Sequence, residues 1–583
     1  MVRILNKKII FPLLIVIILS GNYCANIVPP AGGPKDTIPP KVTKSYPENY
    51  SIRFKGQKIE ISFDEFIQLK DVNNKLLVSP PFINNPEIKL KGKSLIIDLK
   101  DELHKNTTYT MNFGNAIVDN NESNVLDNFE FVFSTGDEID SLSISGKVFN
   151  AFDLKPEEGV LVMLYENLND SAPYLEFPNF VGKTNKNGQF LTNNIRNDTF
   201  RIFVLKDENR NYIYDLTNEA IAFSDSFVFF EAKKSVTADT ISLDSIVKQK
   251  DGNFIRKDIE LFLFKEDDKK QYLANYERDK RKLTFIFNIP LIDSLFILPL
   301  NFTPSDSWYI IENYLFNDTI SYWITDSLIS NQETLSLELN FYTTDSLDNK
   351  KLISDTINLR YIFEQPSEKK RTQVEETEKL NIKSNIKKGS IFDLGKNISI
   401  ECSHPISSYD ISKIKLFQIQ DSLEIAREFS FYKDSFQLRK FHFYNPWDEN
   451  TSYKLFIEPN AFRDIFDLTN DTLIVYFKTQ KSGHYGSIIL TLSNIDSNVI
   501  VQLLDEEEKV LKEKAANNEQ AINFSYLKPR KYKLKLVFDS NSNAKWDTGN
   551  YLLKIQPEKV IYYSKVINVR SNWDSEVNWD IEE

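Results

Sequence analysis

The sequence predicts an all-β chain of tandem β-sandwich domains behind an N-terminal export signal. Three observations predict it. Period-two alternation of apolar and polar residues dominates, as in Lys58-Ile59-Glu60-Ile61-Ser62-Phe63, Leu335 to Phe341 and Lys533 to Phe538. Such alternation turns one sheet face to a core and the other to water. Clusters of Asn, Asp, Ser and Gly, residues that tolerate turns, separate these short runs. No long, capped segment with a 3.6-residue period occurs, so sandwiches are the expected class. At roughly 100–200 residues per domain, 583 residues make room for about three to six domains.

Composition removes several functions. The chain carries 71 basic against 83 acidic residues, a net charge of −12, which argues against a nucleic-acid partner. Two Cys build neither a disulfide scaffold nor a zinc ribbon. His104, His404, His442 and His484 are too scattered to suggest a histidine metal centre.

In chain order, residues 1–23 form the signal peptide. Arg3, Lys7 and Lys8 precede an apolar run from Ile9 to Leu19, interrupted at Pro12. As a helix this run would rise only about 16 Å, against a bilayer core of about 30 Å. Secretion fits better than a membrane span. Cys24 follows directly and resembles the acylation site of bacterial lipoproteins, although Gly21 and Tyr23 depart from the usual flanks. The resemblance implies lipidation at Cys24, with residues 24–38 as a tether and the membrane as a partner through the lipid anchor.

Internal repeats divide the remainder. Asn106-Thr107-Thr108-Tyr109 recurs as Asn450-Thr451-Ser452-Tyr453, and Phe131 to Thr135 recurs as Val475 to Thr479. Tyr109/Tyr453 and Phe133/Phe477 share one offset of 344. A second pair, Asp207 to Asp215 and Asp539 to Asp547, has an offset of 332. The order is therefore an A-B pair of modules, a middle segment, and a second A-B pair. The expected domains span 39–136, 137–247, 248–363, 387–480 and 481–583. A charged linker at 364–386, including Glu375, Glu376 and Glu378, joins the halves.

The A module at 39–136 is similar to the bacterial Ig-like domain of S-layer (SbsA-type) proteins. Pro39-Pro40, Asn106-Thr107-Thr108-Tyr109 and Phe131 to Thr135 carry the likeness; the copy at 387–480 lacks the Pro-Pro start. The B module resembles a carboxypeptidase-regulatory or transthyretin-like sandwich through Ser145-Gly146-Lys147-Val148 and Thr184 to Phe190. The opening from Cys24 to Pro40 resembles that of Bacteroidetes lipoproteins with Ig-like domains. This implies an outer-membrane lipoprotein. No acidic residue lies between Cys24 and Asp36, which favours a periplasm-facing over a surface-exported chain. The resemblance brings no catalytic residues.

Few constellations could carry chemistry. Asp207, Asn209, Asn211 and Asp215 stand at positions 1, 3, 5 and 9 of a loop, and Asp539, Asn541, Asn543 and Asp547 repeat the spacing. Hard cations such as Ca²⁺ take six to eight oxygens, which alternate side chains of a tight loop can supply. The loops are thus candidates for structural Ca²⁺. Against this, Tyr212 and Ala544 replace the glycine at position 6, and Asn218 and Asn550 replace the bidentate Glu at position 12. The alternative is a turn built by Asx side chains. Ser384/Lys387 and Ser412/Lys415 match S-x-x-K without its companion motifs. Cys402 lies in an alternating strand, and Gly182-Lys183-Thr184 lacks the first P-loop glycine. The middle segment holds neither His nor Cys, which argues against a hydrolase there.

The expected function is that of a non-catalytic envelope scaffold or binding module for envelope proteins or glycans. The alternative is a surface adhesin or glycan-capture lipoprotein.

Overall fold

A computed structural model describes residues 35–581 apart from 217, 231–245, 249–253, 268–269, 315, 345–349, 363–377, 388 and 518–520. The signal peptide, Cys24 and most of the tether lie outside the described residues. Among those described, strands dominate and no helix is long and apolar enough to cross a membrane.

Five β domains follow one another. Domain 1 packs the sheet Val42–Tyr46, Lys58–Phe63, Ser94–Asp98, Glu87–Lys91 against Leu77–Ser79, Thr108–Asn112, Glu130–Ser134. Its core holds Ile59, Ile61, Met111, Phe131 and Phe133, all inward positions of the alternation. Domain 4 repeats the plan around Ile400, Phe441, Leu455 and Phe477. Domain 3 is a four-on-three sandwich. Strands Leu273–Asp279, Lys282–Phe287, Thr319–Ile324 and Tyr309–Asn313 face Phe296–Pro299, Thr334–Thr344 and Lys350–Arg360.

The expected boundary at 247/248 is corrected. Strand Phe254–Lys265 pairs parallel with Leu142–Asn150 and antiparallel with Ala220–Phe223, so it belongs to domain 2. Domain 5 has the same closure, with Asp574–Asp580 parallel to Gly486–Ser493. Alternation identifies a strand but not its partner, and a parallel partner is always distant in sequence. Gly146 lies at the crossing: a Cβ there would stand 2.1 Å from the Ile259 carbonyl oxygen. The linker is shorter than 364–386, because Leu380 is buried in the core of domain 4 and Ile382–Ser384 pairs with Ile398–Cys402.

Side-chain contacts tie domain 1 to domain 2, domain 3 to domain 4 and domain 4 to domain 5. Ser79 Oγ of domain 1 accepts the Val181 amide of domain 2. Arg439 of domain 4 bridges to Glu312 of domain 3, which also accepts the Trp323 indole N–H. Tyr485, at the start of domain 5, donates its hydroxyl to Asp393 of domain 4. Domain 5 then returns to domain 2, closing a circuit of four domains.

Candidate functional site

The two Asp/Asn loops fold alike. Each follows a strand, Arg201–Lys206 or Lys531–Phe538. Asp207 accepts the backbone N–H groups of Arg210, Asn211 and Tyr212; Asp539 accepts those of Asn543 and Ala544. Asn209 and Asn211 donate their amides to Asp215, as Asn541 and Asn543 do to Asp547. Tyr212 and Ala544 adopt left-handed backbones, φ 60° in both, at the position where a glycine was missing from the pattern.

A further carboxylate completes each loop. Glu219 is wholly buried and accepts the N–H groups of Glu208, Asp215 and Leu216. Glu558 does the same for Ser540 and Asp547. Residues 548–557 stand where the first loop has only 216–218, which places Glu558 further along the chain than Glu219. In both loops these oxygens accept N–H donors of the same loop. Among the described residues, no three His, Cys, Asp or Glu side chains form a set able to hold a metal ion. The loops as they stand are hydrogen-bonded turns.

The insertion in the second loop is a docking arm. Tyr551 is 0% exposed, packed against Phe203, Phe223 and Tyr174 of domain 2 at ring-centroid distances of 5.3, 5.1 and 5.8 Å. Its hydroxyl donates to the Asp170 carbonyl at 2.7 Å, and its N–H donates to Glu266. Thr548 donates to the Lys265 carbonyl, and Gln556 reaches the Phe223 carbonyl and Asp225. Lys554 pairs with Asp170 at 2.8 Å. Gly549 lets the arm pass over Phe264, whose ring would stand 2.6 Å from an added Cβ.

Beside the arm, the outer sheet face of domain 5 meets Phe152 of domain 2. Trp546 packs edge-on against that ring at 5.0 Å, and Lys535 Nζ stands 3.2 Å from its centroid. Lys535 is 2% exposed. Loss of hydration pushes its ammonium pKa down to about 8, against the opposing pull of Asp153 and Glu508. Lys155 crosses the interface to Glu508 at 3.1 Å.

A sequence signal for this clasp exists. Leu161–Tyr165, Arg201–Lys206 and Val499–Leu504 are nearly continuous apolar runs rather than alternating ones. Such runs mark strands covered on both faces. In domain 2, Val162, Leu164, Ile202 and Val204 face the domain's own core, while Met163, Tyr165, Phe203 and Leu205 face the side where Tyr551 docks.

The sequence-predicted catalytic fragments do not assemble. Ser412 bonds to Asp410 while Lys415 pairs with Glu458. Ser384 Oγ accepts the Ile386 amide. The Cys402 thiol is buried and pushed up to about 12 by that burial. Of the C-terminal tryptophans, Trp579 fills the core of domain 5 while Trp573 is exposed.

Residues 36–135 match the family described as Bacterial Ig-like domain, which coincides with domain 1. No curated protein matches the chain. Among solved structures the chain is similar to BcpA, the major pilin subunit of Bacillus cereus, at 9% identity over 75% of this chain and 98% of that one, with a TM-score of 0.15. It is similar to the S-layer protein SbsC at 10% identity over 91% of this chain and 67% of that one, TM-score 0.14. It is also similar to native alpha-2-macroglobulin from Escherichia coli, domains MG0-NIE-MG1, at 10% identity over 52% and 97%, TM-score 0.17. TM-scores this low support no conclusion about domain arrangement or activity.

Proposed function

We propose that this chain is a non-catalytic envelope scaffold, held to the outer membrane by acylated Cys24 and presenting binding surfaces to envelope proteins or glycans. The observation that supports it most is the clasp. A chain that sends a ten-residue arm from its last domain to bury Tyr551 in its second holds its domains at set positions. Loops and clefts on such a frame keep their spacing, which suits a binding platform. Domain 3, where a hydrolase would have been housed, is a plain sandwich with neither His nor Cys.

Cell fractionation tests the anchor. Wild-type chain is expected with membranes and Cys24→Ala in the soluble fraction; a variant that stays wholly membrane-bound would overturn the lipid anchor. Protease treatment of intact cells tests the side. Protection until the outer membrane is opened is expected, and degradation in intact cells would favour the adhesin reading instead.

A further inference from the structure

One sheet of domain 4 runs in the order Ile391–Phe392, Leu473–Thr479, Ser452–Ile457, Ile414–Gln420, Leu423–Arg427. Leu416, Leu455, Val475 and Phe477 point from it into the domain core. Period-two alternation ordinarily leaves the opposite face polar. Here that face carries Phe417, Ile419, Ala426, Phe456, Ile474 and Tyr476. Ala426, Ile474 and Tyr476 are exposed, so no described part of the chain covers them. Lys454 lies among the rings, its Nζ 5.5 Å from the Phe417 centroid and 5.3 Å from that of Phe456. Glu424 neutralises it at 2.8 Å.

The repeat shows what this face is for. By the shared offset of 344, Ser452, Lys454, Tyr476 and Lys478 stand where domain 1 has Thr108, Thr110, Val132 and Ser134. All four of those are buried. Thr110 Oγ1 accepts the Asn194 amide of domain 2 at 2.8 Å, and Thr108 Oγ1 accepts the Asp140 N–H at 3.0 Å. The face is thus a domain interface in the first A-B pair. In the second pair domain 5 is held elsewhere on domain 4, at Asp393 through Tyr485 and Lys528. The equivalent face is left open and is more apolar than its buried counterpart.

We propose that this face of domain 4 pairs with the same face of a second copy of the chain, about a two-fold axis lying along the strands. The charges on the face choose that occupant. One cross-strand row reads Lys478, Ser452, Ile419, Glu424, with a positive and a negative end. The next reads Tyr476, Lys454, Phe417, Ala426. A two-fold axis between Ser452–Ile457 and Ile414–Gln420 exchanges the two ends of each row. Lys478 then faces Glu424 of the second copy, and Tyr476 lies over the small Ala426. Aligned sheets pack with their strands about 30° apart, which each copy meets by turning half that angle from the axis. Four strands about 4.8 Å apart and five residues tall give a patch of roughly 19 by 17 Å. Two copies bury on the order of 1,000 Å², the low end of specific interfaces, so the dimer is a weak one.

The test is sedimentation equilibrium of the full chain carrying Cys24→Ala, which removes association through lipid. A monomer–dimer equilibrium with a dissociation constant of about 1–100 µM is expected. Ala426→Arg, at an exposed position, should abolish the dimer and leave the melting temperature unchanged. Tyr476→Ala should weaken it about tenfold. Lys478→Glu and Glu424→Lys should each weaken it about tenfold, because each sets like charges face to face twice per dimer. An equimolar mixture of those two variants should dimerise several-fold more tightly than either alone, since every facing pair is then opposite in charge. A chain that stays monomeric throughout that range would overturn the proposal. So would a dimer untouched by Ala426→Arg and Tyr476→Ala, or a mixture no tighter than its components. A monomer that binds chitotriose, and loses it in Tyr476→Ala, would give the face to a glycan and overturn the proposal too.

Discussion

Tyr109 and Tyr453 close two different domains by one set of contacts. Each hydroxyl accepts the N–H of the residue five earlier, His104 at 2.9 Å and Asp448 at 3.1 Å. Each ring stacks on the Phe of the partner strand, Phe133 at 5.3 Å and Phe477 at 5.6 Å. Thr135 and Thr479 finish both corners by accepting Thr107 N–H and Thr451 N–H. At this scale the Asp/Asn loops are testable. Asp539→Ala removes the acceptor of two backbone N–H groups at a buried site, so a loss of ~1–3 kcal/mol is expected. The drop in melting temperature should be as large in chelator as in calcium. A drop seen only with calcium would assign the loop to a cation.

Lys535 is the second residue-scale case. Its folded pKa of about 8 lies below the ordinary 10.5. Between these values the unfolded chain binds more protons than the folded one, so stability rises with pH across that window and is flat below it. Lys535→Met should abolish this slope and stabilise the chain near neutrality by up to ~3 kcal/mol. Melting curves of both chains from pH 7 to 10 read this directly, and parallel curves would refute the buried-ammonium account.

At the scale of elements, the insertion 548–557 shows what pattern reading can and cannot deliver. The loop that carries it was legible, because Asp539, Asn541, Asn543 and Asp547 repeat a spacing already present at 207–215. The role of the insertion was not, because Tyr551 is the single aromatic residue of 548–557 and its partners Phe203 and Phe223 stand more than three hundred residues away. The apolar runs Leu161–Tyr165 and Val499–Leu504 announce a covered second face but not what covers it. Tyr551→Ala removes a fully buried aromatic side chain from the clasp, and a loss of about 3 kcal/mol in its closure is expected. Limited proteolysis should then cut within 548–557 faster than in the wild-type chain.

For the whole molecule, the clasp decides between a rod and a folded-back chain. Domain 2 holds domain 5 through the arm, domain 5 holds domain 4 through Tyr485 and Asp393, and domain 4 holds domain 3 through Arg439 and Glu312. Opening one joint frees the end of the chain while the other joints persist. Small-angle scattering of Tyr551→Ala should therefore show a longer maximum dimension than wild type with the domain melting otherwise unchanged. An unaltered scattering profile would mean that Trp546, Phe152 and the Lys155–Glu508 pair suffice to hold the circuit.

By itself the sequence determined the all-β class, the two A-B pairs, the first Ig-like domain and the paired loops. Period-two patterning and turn residues act over a few neighbours, and repeats are visible as text. Only the tertiary structure decided that Phe254–Lys265 closes domain 2, that Glu558 completes the second loop, and that Tyr551 returns the chain upon itself. These depend on parallel pairing and on burial between residues far apart in the chain. Such contacts leave no periodic trace, because what selects them is the shape and free apolar area of a surface that exists only once each domain has folded.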